Sequence, residues 1–177
     1  MNERTLAVRT VFQGRALQID VVDVALDDGR LSTREIVRHR GAVVVLAERP
    51  DGRFVLVRQY RKAVEETLLE AVAGSLEPGE APEAAARREL EEETGYAAVT
   101  LRALGVVAVC PGYSEERQHL FHARVGIAPG ATHPDPDEHL APAVLSRGEI
   151  EAAIDAGELK DSKSLTIWYL ANRGRPA

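Results

Sequence analysis

Four carboxylates fall within five residues of the stretch Arg88-Glu89-Leu90-Glu91-Glu92-Glu93-Thr94-Gly95. Like charges at helical-neighbour spacing repel, so a purely structural helix gains nothing from this pattern. On a 3.6-residue wheel Glu89, Glu92 and Glu93 share one face, and Glu91 and Arg87 point roughly the opposite way. The shared face also carries Ala85 and Ala86, with Leu90 at its flank, so the acids occupy the stripe an amphipathic helix reserves for apolar residues. A solvated charged face would interleave lysine or arginine at i+4. Arg88 stands in that relation to Glu92, but Glu89 and Glu93 have no basic residue there. A row of hard oxygen ligands suits a divalent cation such as Mg²⁺, and binding one would offset the repulsion.

The elements that position this row are legible around it. Residues 82–94 read as a helix, with Pro82 at its first position, alanines in its body and Gly95 free to turn left-handed past its end. The preceding segment, Glu70-Ala71-Val72-Ala73-Gly74-Ser75-Leu76-Glu77-Pro78-Gly79-Glu80, is expected to form a tight loop, with Gly74 and Gly79 permitting close backbone approach. Upstream, β-branched runs predict strands through residues 5–12, 15–26 and 32–39, with Asp27-Asp28-Gly29 as a hairpin turn. A second hairpin joins residues 41–48 to 53–60 across Arg49-Pro50-Asp51-Gly52, and its first arm is apolar enough to be buried on both faces. Strands are also expected over residues 100–110 and 118–125. A polar, proline-rich loop is expected over residues 126–142. A helix then starts at a capping box, Ser146 with Glu149, and a last one runs from Ser162 to Gly174. Trp168 and Tyr169 in it read as core. Strands with helices laid over them indicate an α/β or α+β sandwich.

Composition sets outer bounds. The 177 residues suffice for one compact domain with a sizeable core. A net charge of −6 argues against a general nucleic-acid binder but not against nucleotides, because cations can stand between acidic protein and acidic substrate. Cys110 is the single cysteine, so no intrachain disulfide forms, and it reads as a packed small residue rather than a nucleophile. The first ten residues lack an apolar signal core, and no apolar run is long enough to span a bilayer, which points to a cytoplasmic protein. The five histidines show no zinc-site spacing.

Gly74, Glu80, Arg88, Glu89, Leu90, Glu92, Glu93 and Gly95 match the pattern G-x5-E-x7-R-E-U-x-E-E-x-G-U position for position, with Tyr96 at the last, usually aliphatic, site. The sequence therefore resembles the Nudix hydrolases, which implies an α/β/α sandwich with a mixed sheet. Residues 57–61 with 68–74, Pro111 sixteen residues after Gly95, and the tail 161–171 are similar to the ADP-ribose pyrophosphatase group. That resemblance implies a small antiparallel β extension over residues 1–39, used for homodimerisation, and a catalytic domain over residues 40–177.

The resemblance also implies roles. Metal ligation falls to Glu89, Glu93, Glu92 and the Ala73 carbonyl, with more than one Mg²⁺ per site and Mn²⁺ as the alternative. Arg88 orients Glu92, and Glu80 braces the loop. The general base is expected in the loop at Glu138, with Asp135 and Asp137 as rivals. Arg61, Glu70 and Glu116 are expected to contact substrate, Arg61 because a guanidinium matches phosphate oxygens bidentately. The implied reaction is Mg²⁺-dependent cleavage of ADP-ribose to AMP and ribose 5-phosphate. The alternatives are another nucleoside diphosphate sugar or dinucleotide (GDP-mannose, NADH, a flavin dinucleotide), or a noncatalytic ADP-ribose sensor.

Overall fold

The computed structural model describes residues 2–15, 17–132 and 139–173, which fall into two compact units. One unit holds the chain up to Gly41 together with Val107–Gln118; the other holds Ala42–Val106 and the chain from His119 on.

The first unit is built on three strands, β1 (Glu3–Gln13), β2 (Gln18–Leu26) and β3 (Leu31–Arg38), paired antiparallel in the order β1-β2-β3. Its turn lies at Asp27-Asp28-Gly29 as expected, where Gly29 takes a φ of 83° and its amide reaches the Leu26 carbonyl at 3.0 Å. The alternation in β2 buries Val22 and Val24. Asp20 is buried beside them and accepts from Arg38 Nε at 2.8 Å, which holds its carboxyl below the usual range. The segment after Cys110 is zipped to β3: the Val37 amide donates to the Tyr113 carbonyl at 2.8 Å, and Arg38 Nη1 donates to Glu115 at 2.8 Å.

The second unit carries a seven-stranded sheet. Its main path runs β10 (Leu140–Leu145), β5 (Phe54–Arg61), β4 (Ala42–Glu48), β9 (Arg117–Val125), β8 (Ala98–Ala108), with β6 (Glu66–Glu70) on β5 and β7 (Val72–Ser75) on β4. Every residue of β4 is buried, as its apolar run requires. Alternation along the strands explains how. Val43, Val45, Ala47, Val55 and Val57 pack with Ala85, Ala86 and Leu90 of helix α1 (Pro82–Thr94). The intervening Phe54 points the other way, edge-on to Trp168 of helix α3 (Ser162–Asn172) with ring centroids 5.1 Å apart. Helix α2 (Arg147–Asp155) begins at the expected capping box, in which Ser146 and Glu149 bond reciprocally.

Three expectations change. The segment before α1 is strand as far as Ser75, because β6 and β7 find partners in β5 and β4. The loop after β9 does not extend to Pro142: β10 starts at Leu140 and is an edge strand, where a proline without an amide hydrogen is tolerated. Tyr169 is 65% exposed, since one helical step from Trp168 turns it away from the sheet. Among the described residues no helix is long and apolar enough to cross a membrane.

Candidate active site

Helix α1 starts at Pro82 and ends at Gly95, whose φ of 73° is the left-handed stop, with its amide bonded to the Glu91 carbonyl at 2.8 Å. Its inner face is clamped by Ala85, Ala86 and Leu90, all fully buried, and this fixes where the carboxylates project. Glu91 and Arg87 are exposed, as the wheel placed them. Glu93 is buried, with 1% of its surface accessible. The Glu89 side chain is 12% accessible and that of Glu92 41%. Tyr96 sits in the hydrophobic core, so the departure at that site is one of packing.

The strand ahead of the helix supplies the complement. In β7, Ala73 pairs with Val44 and Gly74 with Val43. A Cβ placed on Gly74 would lie 1.9 Å from Glu89 Cδ and 2.0 Å from one of its oxygens. The glycine is therefore a cradle that lets the Glu89 carboxylate lie on the backbone, one residue from the Ala73 carbonyl.

Arg88 organises the rest. Its Nε and Nη2 grip the two Glu80 oxygens at 2.9 Å each, and Nη1 donates to Glu89 at 2.8 Å and Glu92 at 3.0 Å. Nη2 also reaches the Ser75 carbonyl at 3.3 Å. Glu80 in turn accepts from the Glu77 amide at 3.0 Å, so it ties the loop to the helix. The Arg88 fork, followed by that amide, lowers the Glu80 carboxyl to about 2, and Glu80 is the largest cause of the raised Arg88 pKa. The contact with Glu89 was not legible from i, i+4 spacing, because a long guanidinium bends back onto its sequence neighbour.

Arg61 and Glu70 meet each other. Arg61 Nε and Nη2 donate to the two Glu70 oxygens at 2.8 and 2.6 Å. Glu70 is buried and also receives the Lys163 ammonium, whereas the Arg61 side chain stays 38% exposed. The Arg61 charge is favoured first by Glu70, against the opposing effect of burial, and then by Glu93 and Asp161, which places it in the field of the glutamate row. Lys163, Asp161 and Ser164 in this cluster went unnoticed in the sequence. The available signal was Asp161 as N-cap of α3, where it accepts from the Ser164 amide at 3.1 Å.

Glu116 lies in the first unit and accepts from Gln118 Nε2 at 2.9 Å. Glu138, with Asp135 and Asp137, lies outside the described residues. His122, buried, pairs with Glu48 at 2.8 Å. Among the described residues, no three His, Cys, Asp or Glu side chains are gathered as a ready cation cage. The donor set nonetheless fits Mg²⁺ in kind: hard carboxylate oxygens, a backbone carbonyl beside them, and a cradle kept clear at Gly74. Arg88 thus faces Glu80, Glu89 and Glu92 together, one guanidinium binding three carboxylates.

A glycine-cradled carboxylate row on a helix, set against a strand of an α/β sheet, is a donor set of the kind that suits a hard divalent cation. The NUDIX domain model matches residues 37–166, and the chain belongs to the Nudix family. It is 38% identical to the ADP-ribose pyrophosphatase of Bacillus subtilis (strain 168), over 96% of this chain and 93% of that one. It is 39% identical to the methanol dehydrogenase activator of Bacillus methanolicus, over 95% and 92% of the two chains. A crystal structure of an ADP compounds hydrolase superposes with a TM-score of 0.84 over 99% of this chain and 98% of that one, at 23% identity, and shows the shared fold.

Proposed function

We propose that this protein hydrolyses the diphosphate linkage of ADP-ribose, giving AMP and ribose 5-phosphate, with Mg²⁺ as its cofactor. The observation that carries the reading is the intact row of Glu89, Glu92 and Glu93, with Glu89 cradled on Gly74, in a chain alike over nearly its full length to an ADP-ribose pyrophosphatase. More than one Mg²⁺, or Mn²⁺ in its place, would be held by Glu89, Glu93, Glu92 and the Ala73 carbonyl. Bound there, the metal supplies charge neutralisation for the diphosphate and a more acidic water.

The protein's own groups do the rest. Arg88 holds Glu89 and Glu92 in orientation while Glu80 holds Arg88. Arg61 offers its guanidinium to the phosphate oxygens, and Glu70 acts through Arg61, since both its oxygens are engaged by cations. Glu138 removes the proton from the attacking water, with Asp135 and Asp137 as the competing bases. Glu116 binds the substrate. We assign residues 40–177 to catalysis and residues 1–39 to a homodimer interface, in a cytoplasmic protein. Strand β1 supports that assignment. All eleven of its residues are exposed, Leu6, Val8, Val11 and Phe12 among them, and it forms the edge of its sheet.

Product analysis on a panel of ADP-ribose, GDP-mannose, NADH and a flavin dinucleotide tests the reading. AMP and ribose 5-phosphate should form with Mg²⁺ and not with chelator. Glu93→Gln should lose at least about 10²-fold in kcat, beyond the usual cost of a supporting residue at a metal site. Glu138→Gln should bind ADP-ribose and lose most of its rate. Faster turnover of GDP-mannose would overturn the substrate. Binding of ADP-ribose without turnover would favour the sensor, which the retained glutamates argue against. The likeness to a dehydrogenase activator favours a second reading, action on a partner enzyme, and a protein confined to that role would leave every panel member intact.

A further inference from the structure

The chain changes sheet partner in the middle of the segment that leads to the site. Strand β6 ends at Glu70 on β5, and β7 starts at Val72 on β4. Ala71 lies at the crossing and is buried, so its amide needs an acceptor outside the ladders. Ser164 provides it: the Ala71 amide donates to Ser164 Oγ at 2.7 Å, and that hydroxyl donates to Asp161 at 2.6 Å. Ser164 is itself buried. The start of α3 thus holds the backbone two residues before the Ala73 carbonyl.

The same turn of α3 holds the Arg61 side chain indirectly. Lys163 donates to Glu70, whose oxygens also take the Arg61 fork, and to Asp161 at 3.0 Å. The Lys163 side chain is 10% accessible and that of Glu70 1%, so these charges act on each other with little screening by water. An Arg61–Glu70 pair alone is neutral and would attract an anion weakly. With the Lys163 ammonium on the same carboxylate, the hold of Glu70 is divided between two cations. Asp161 balances Lys163, so the four charges sum to zero, but the two carboxylates are largely covered, at 1% and 16% accessible, and the group that meets solvent is the Arg61 guanidinium, at 38%.

We propose that Asp161, Lys163 and Ser164 form a positioning latch: Lys163 frees the charge of Arg61 for a diphosphate by sharing Glu70, and Ser164 fixes the strand crossing ahead of Ala73. The Arg61 half rests on the nucleoside diphosphate reading above, whereas the Ser164 half does not. None of the three residues touches substrate in this scheme, which separates the latch from the Nudix motif itself.

The test is a double-mutant cycle of Lys163→Met and Arg61→Ala, measured on whichever panel nucleotide the wild-type protein hydrolyses fastest, at saturating Mg²⁺. Lys163→Met should lower kcat/KM by about 10–100-fold, the usual cost of losing an outer support, with the same division between kcat and KM as Arg61→Ala. In the Arg61→Ala background its effect should shrink to less than about threefold, because the two residues act as one unit. Multiplicative losses in the cycle would overturn the Lys163 role, since a general packing defect is indifferent to Arg61. Amide hydrogen exchange supplies the second arm and needs no substrate. Ser164→Ala should speed exchange at Ala71 by at least about tenfold while leaving α2 unchanged. Unchanged exchange at Ala71 would overturn the Ser164 role, and uniform acceleration across the unit would reduce it to global stability. If wild-type protein turned over no nucleotide, the proposed function would fall while the exchange arm still decided the latch at the strand.

Discussion

The sharpest perturbation is one methyl group at Gly74. This glycine is not among those with positive φ, so alanine is compatible with its backbone in strand β7. The added Cβ would sit 1.9 Å from Glu89 Cδ, where ordinary contact begins near 3.4 Å, so the carboxylate must retreat by about 1.5 Å. The clashing atoms belong to the far end of a flexible side chain, which can swing aside at small cost. The two consequences therefore separate. Unfolding free energy in urea should fall by less than about 1.5 kcal/mol, a modest overpacking cost. Activity should fall by about 10²-fold or more, since a displacement of roughly 1 Å at a reacting centre costs that much. The assay is Mg²⁺-dependent release of AMP from ADP-ribose, with a Mg²⁺ titration alongside, and the half-saturating Mg²⁺ concentration should rise. Wild-type activity in Gly74→Ala would refute the placement of Glu89 at the metal. A loss above about 3 kcal/mol in stability would refute the cradle in favour of a structural glycine.

Two further outcomes follow from other parts of the molecule. Glu149 has its carboxyl lowered from 4.5 to about 2, first by the Ser146 amide and hydroxyl and then by Arg53. Because the folded value is depressed, its stabilisation is present above the unfolded value of about 4.5 and is lost as pH falls through about 2. Wild type should exceed Glu149→Gln in stability at pH 7, with the gap closing over that acid window; a gap independent of pH would refute the ionised cap. Val8→Asp with Phe12→Asp puts two charges on the exposed strand β1, and under the proposed homodimer assignment it should lower the sedimentation coefficient to that of a monomer. An unchanged sedimentation coefficient would remove β1 from the interface.

What the sequence disclosed was what local chemistry controls. Helix α1 begins at Pro82 and ends before Gly95 because a proline without an amide and a glycine at positive φ are written into those positions. The shared face of Glu89, Glu92 and Glu93 follows from the 3.6 period alone, and burial of Glu93 beside exposed Glu91 agrees with it. Strands β6, β7 and β10 share shortness, which hides them in the sequence. The extended form of β7 and β10 also depends on a partner distant in sequence, β4 and β5 respectively, whereas β6 folds back on the neighbouring β5. Five-residue windows containing Gly74 or Pro142 look like turns until the neighbouring strand is known. Tyr169 was misplaced because adjacent aromatic residues in a helix lie about 100° apart, so only Trp168 faces the sheet.

The side-chain partnerships show where sequence reading stops more generally. Arg61 and Glu70 were singled out separately as groups that could meet a ligand, each chosen for its chemistry. They meet each other, nine residues apart on paired strands, and the register of β5 on β6 explains this: Val57 opposes Glu70 and Arg61 opposes Glu66, so a long guanidinium must reach back along the ladder. Lys163 completes the group from 93 residues away in sequence. Held by Arg61 alone, Glu70 would make a closed pair; shared with Lys163, which Asp161 balances, it holds the exposed guanidinium less exclusively. That sharing depends on packing α3 against the sheet, and it lets the guanidinium turn to an anion.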